Sequence, residues 1–182
     1  MADERKSLSQ LQTALADNSS GAITPQDERN IAFSMKWPQG SIYMTSSAET
    51  TISEAGTYVK AAGTTTLSDN TAPYLFDMPA VNRLRYTGAT AVHAHIAITV
   101  SFTMAGNNKT AGLSVYKNGT TQLAHSIVHR LVSTGADIGS TALHADCAMA
   151  QNDYIELWVT NITDATNATV DLMYMFAMGM FV

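Results

Sequence analysis

The chain has 182 residues, 46% hydrophobic and 14% charged, with ten Lys and Arg against fifteen Asp and Glu for a net charge of −5. That length suits one domain with a short arm, and the acidic balance argues against nucleic acid as a partner, because phosphate binding needs clustered Lys and Arg. The single cysteine, Cys147, excludes an intrachain disulfide and a multi-cysteine metal site, and no apolar stretch has transmembrane length.

Residues 1–38 hold nine of the charges and no strand-like pattern. The opening MADERKSLSQ lacks the apolar core of a secretion signal. Leu8, Leu11 and Leu15 lie at i, i+3 and i+7, which predicts a short helix with one apolar stripe. The turn formers Asp17, Asn18, Ser19, Ser20 and Gly21 end it. A second helix is predicted from Thr24. Thr24 caps, Pro25 suits the first helical position, and Asp27 and Glu28 meet the positive end of the helix dipole. Ile31 and Met35 follow at i, i+4, and Ile23 precedes the cap. Helices this short are unstable alone in water, so the apolar side chains need a surface to dock on. Pro38 disfavours helix at the residue before it and marks the boundary with residues 39–182.

The remainder alternates at period two. From Val92 to Met104, the side chains of Val92, Ala94, Ile96, Ile98, Val100, Phe102 and Met104 share one face, which predicts a long strand with one buried side. Gly106, Asn107 and Asn108 make a turn, and a return strand runs from Leu113 to Lys117. Asn118-Gly119 is a strong hairpin signal. Leu123 to Leu131 is expected to form one further strand, and another ends near Met149. Tyr154 to Thr160 places Ile155, Leu157 and Val159 inward, with Tyr154, Glu156 and Trp158 opposite. Val170 to Val182 closes the chain, with Val170, Leu172, Tyr174, Phe176, Met178, Met180 and Val182 on one parity and Met173, Met175, Ala177 and Phe181 on the other. Apolar residues on both faces mean that both are covered. Eight or more strands joined by short turns predict an all-β sandwich, jelly roll or barrel. The doubly apolar last strand predicts a subunit interface, with Met173, Met175, Phe176, Met178 and Phe181 as its candidates.

The runs GTYVKAAGTTT (56–66), NRLRYTG (82–88), AGNNKTAGLSVYKNGTT (105–121) and QNDYIELWVTN (151–161) resemble a bacteriophage virion domain found on head and tail accessory proteins. That domain is similar to the trimeric jelly roll of complement globular heads and tumour necrosis factor. The segment ADNSSGAITPQDERNIAFSM (16–35) also looks like one found ahead of such domains in phage structural proteins. The resemblance implies a jelly-roll homotrimer around a threefold axis and carries over no catalytic residue.

Few residues point to other chemistry. His93 and His95 share a strand face two residues apart, and His125 with His129 would share another. No acidic or cysteine partner stands beside them at ligand spacing, so no metal is expected. No G-x-S-x-G elbow, H-E-x-x-H motif or phosphate-binding loop occurs. Asp153 and Glu156, three apart on a strand, fall on opposite faces and do not make a glycosidase pair. The chain is therefore expected not to be an enzyme and to need no cofactor. The expected role is a trimeric capsid decoration, or cement, protein of a tailed phage, assembled in the host cytoplasm and located in the virion. Its partners would be itself and the major capsid protein, with no membrane contact. Leu8, Leu11, Leu15, Ile23, Ile31 and Met35 would form the docking arm. A receptor-binding head or fibre component is the alternative role.

Overall fold

The computed structural model describes residues 6, 8–15, 23–34, 36–68 and 74–181. Two helices, α1 (Leu8–Leu15) and α2 (Pro25–Ser34), precede the strands. The start of α2 is a capping box. The Asp27 amide donates to the Thr24 hydroxyl at 3.2 Å, and the Thr24 amide donates back to the Asp27 carboxylate at 2.9 Å. The Thr24 hydroxyl bond holds the Asp27 carboxyl below its usual pKa.

The strands are β1 (Gln39–Ser47), β2 (Glu49–Thr50), β3 (Val59–Lys60), β4 (Gly63–Leu67), β5 (Phe76–Ala80), β6 (Arg83–Tyr86) and β7 (Val92–Met104). They continue with β8 (Lys109–Lys117), β9 (Thr121–Gln122), β10 (Val128–Val132), β11 (Gly139–Met149), β12 (Tyr154–Asn161) and β13 (Ala168–Phe181). The first sheet has the order β11-β7-β13-β1-β4, with β2 also on β13. The second has the order β10-β8-β12-β6-β5, with β3 on β12 and β9 on β8. Every pairing between these strands is antiparallel, and the chain crosses repeatedly between the sheets, as a jelly roll does.

The core lies between the sheets. Ile42, Ile96, Ile98, Phe102, Met173 and Met175 enter it from the first sheet, and Leu84, Leu113, Val115, Ile155, Leu157 and Val159 from the second. None of the helix side chains that are described belongs to it. The period-two reading of β7 holds along its whole length, since all seven inward residues are buried. Asn118 and Gly119 both have positive φ, at 56° and 68°, as a primed turn requires. Glycine adopts this conformation without steric cost.

Two expected strands differ in the structure. Residues 123–131 do not form one strand. After β9 the chain makes a short 3-10 turn over Ala124–Ser126 before β10 begins. The reason is a buried hydroxyl: Ser126 Oγ accepts the Val115 amide at 2.8 Å and donates to the Leu123 carbonyl at 2.7 Å, which clamps the turn onto β8. His125 and His129 therefore do not share a strand face.

The second difference is a bulge in β13. Val170 pairs with Phe102, but Leu172 pairs with Ser101, so Asp171 is an extra residue. Val170 is thereby inward with Met173, Met175 and Ala177, while Leu172, Tyr174 and Met180 are exposed. Burial pushes the Asp171 carboxyl pKa up.

Candidate interaction face

The outward side of the first sheet carries the most exposed apolar surface of the described sandwich strands. Leu172 is 64% exposed, Met180 55%, Tyr174 43% and Tyr43 40%. Phe176 and Met178 are half-buried beside them. Strand register explains the grouping. Tyr43 pairs with Tyr174 and with Thr66, while Ser41 pairs with Phe176. Same-face neighbours on adjacent strands thus bring aromatic and aliphatic side chains together. A depression of about 540 Å³ lies in this face, lined by Tyr43, Thr99, Ser101, Thr141, Leu172 and Tyr174.

The expected interface set divides. Met173 is 3% exposed and Met175 fully buried, so both already fill the protomer's own core. Phe181 also packs against that core. This corrects the assignment of Met173 and Met175 to a subunit interface, because a side chain already out of water has little surface left to bury, whereas Phe181 is half-buried like Phe176 and Met178. Phe176 and Met178 remain on the outer face. Leu172, Tyr174, Met180 and Tyr43 were missed as candidates. The first three were legible on one parity of the sequence, whereas Tyr43 joins them only through pairing of β1 with β13.

The arm residues are placed unevenly. Leu11, Ile23 and Ile31 are half-buried. Leu8 and Leu15 lie on α1, but their side chains, and Met35 altogether, fall outside the described residues. Where the chain enters the sandwich it is tied down. Gly179 donates to the Pro38 carbonyl at 2.9 Å, Gln39 bonds Tyr74 in both directions, and the Lys36 ammonium lies 4.2 Å from the Tyr74 ring centroid.

Beyond the apolar strip, the same face turns to histidine. His93 Nε2 lies 2.9 Å from Asp146 Oδ2, and His125 Nε2 lies 3.6 Å from Asp146 Oδ1. His144 Nδ1 lies 3.4 Å from His95 Nε2, with ring centroids 5.4 Å apart. The His93 hydrogen bond holds the Asp146 carboxyl below its usual pKa, helped by the charges of His125, His93 and His95. Among the described residues, no three His, Cys, Asp or Glu side chains converge as ligands for one metal ion.

The carboxylates considered for catalysis are occupied by cations. Glu156 is only 1% exposed, and Arg83 donates to its Oε1 through Nε at 3.0 Å and a terminal nitrogen at 2.9 Å. Trp158 donates to its other oxygen at 3.2 Å, and Lys60 lies 3.6 Å away. Burial opposes ionisation of Asp153, but hydrogen bonds from Lys117, Asn118 and the Ala150 amide outweigh it and lower the pKa. Burial raises the thiol pKa of Cys147, which packs against the core.

No known family and no curated protein matches the sequence. Among solved structures, the chain is similar to Eiger TNF from S. frugiperda at 7% identity, over 79% of this chain and 92% of that one, with a TM-score of 0.50. It is also similar to PRD1 vertex protein P5 at 12% identity, covering 79% and 96%, with a TM-score of 0.49. Murine APRIL at pH 5.0 aligns at 9% identity, covering 76% and 98%, with a TM-score of 0.46. At these identities the likeness concerns the fold alone, and the chain has the jelly-roll sandwich fold.

Proposed function

We propose that this chain is a structural subunit of a tailed bacteriophage virion, a homotrimer that decorates the capsid and stabilises its shell. The observation that carries the reading is the apolar outer face of the first sheet. Four side chains there are 40–64% exposed, on a sandwich whose core is already complete. Covering the remaining surface of those four is worth about 4 kcal/mol per protomer. A closed ring of identical copies satisfies such a face without leaving a sticky surface. The residue runs at 56–66, 82–88, 105–121 and 151–161, which resemble the phage virion domain, support placing that trimer in a virion.

The helices before β1 supply the second half of the reading. Their described side chains are outside the core, and Leu11, Ile23 and Ile31 are incompletely buried. They are the anchor toward capsid protein. No described helix is long and apolar enough to cross a membrane.

Cryo-microscopy of intact virions tests the location, and a reconstitution tests the anchor. Protein lacking residues 1–38 is expected to keep its β spectrum and trimer mass but to fail to bind capsids stripped of this protein. Normal occupancy by the truncated protein would refute the anchoring role.

A further inference from the structure

We propose that His95 and His144 form a two-point chelate for a divalent transition-metal ion of the zinc type on the outer face of the first sheet. The argument starts from register. Asp146 on β11 stands opposite His95 on β7, and His144 stands opposite Ala97, so His95 and His144 are diagonal neighbours on one face. This diagonal spacing is within reach of long and aromatic side chains. Sequence spacing along one strand pairs His93 with His95 instead, and that pairing gave no reason to expect a metal. The two ligands come from different strands, 49 positions apart.

In the free protein the two nitrogens make a long hydrogen bond, which a bridging ion would replace. The nitrogens are 3.4 Å apart, longer than the usual 2.7–3.2 Å for a bond donated by a nitrogen. Zinc binds imidazole nitrogen at about 2.0–2.1 Å, which sets the edge between two ligands of a tetrahedral shell at about 3.3–3.4 Å. Both rings are exposed, so water can complete the shell. Imidazole ligands suit zinc, copper and nickel, whereas calcium and magnesium prefer oxygen.

The surroundings favour a cation. Asp146 carries its negative charge next to the pair, with Oδ2 held by His93 at 2.9 Å and the His125 ring bonded to the Asp146 backbone, so it draws a cation toward the site. The neighbours of His95 on β13 are uncharged, with Met178 directly opposite. Lys117, near the end of β11, is held by Asp153 at 2.7 Å. The site lies wholly within one protomer and does not depend on the trimer reading.

The test is calorimetric titration of the untagged full chain with zinc chloride at neutral pH, with cobalt absorption reporting tetrahedral nitrogen ligation. One saturable ion per protomer is expected. His95→Ala and His144→Ala should each weaken binding about tenfold or more, while His129→Ala on the other sheet leaves it unchanged. Circular dichroism confirms that these surface variants fold. The proposal is overturned if no saturable binding occurs below about 1 mM zinc. Wild-type affinity in both His95→Ala and His144→Ala overturns it equally.

Discussion

Substituting Leu172 and Tyr174 together by Ser separates assembly from folding. Leu172 is 64% exposed and Tyr174 43% exposed, so the surface each has left to bury belongs to whatever covers the first sheet. Full burial of such side chains is worth about 1.5–3 kcal/mol, so these two contribute about 2 kcal/mol per protomer when covered. Three copies lose about 6 kcal/mol, and a trimer's midpoint concentration then rises about a hundredfold. The isolated fold should change by no more than about 0.5 kcal/mol, as for surface substitutions generally. Met175→Ala is the opposite case. Its side chain is fully buried, and its removal should cost the protomer about 2–5 kcal/mol while leaving the outer face intact. Multi-angle light scattering over a dilution series reads assembly, and thermal melts followed by circular dichroism at low concentration read the protomer. If the double variant dissociates at the wild-type concentration, or the wild type is monomeric throughout, the outer face is not a self-association surface.

Other expectations follow from particular contacts. Arg83→Ala removes two hydrogen bonds to the buried Glu156 carboxylate and the cation lying 3.8 Å from the Tyr154 ring centroid. It should cost about 2 kcal/mol in a denaturant melt, partly recovered by Glu156→Gln, because a buried amide is less costly than a buried unpaired charge. Gly40→Ala would drive a methyl group into Phe76 Cβ, which moves only with the backbone of β5, and should cost about 1–3 kcal/mol by the same measurement. Asp164 has its carboxyl pKa lowered to about 2 by Lys109, with bonds from Thr166 adding to the effect. A lowered folded-state pKa contributes stability above the unfolded value near 4 that is lost as pH falls toward 2. Asp164→Asn should flatten that part of the acid-denaturation profile, and an unchanged profile would show that the loop bonds do not survive in solution.

Short-range order was legible in the residues alone. The alternation from Val92 to Met104 depends only on the two-residue repeat of a strand, and all seven inward side chains are buried as that repeat requires. The Asn118-Gly119 turn and the Thr24–Asp27 cap were equally local, since each rests on the conformations of a few adjacent residues. The outer-face partners were not local. One extra residue at Asp171 reverses parity within β13, and nothing in the spacing from Val170 to Phe181 marks where the bulge falls, because it is set by pairing with β7. Glu156 was placed only on the face opposite Ile155, Leu157 and Val159, yet Arg83 and Lys60, 73 and 96 positions before it, shelter it within the second sheet. His95 met His144 rather than His93 for the same reason. Alternation along a strand says which face a side chain takes, but only the register between strands decides what stands beside it.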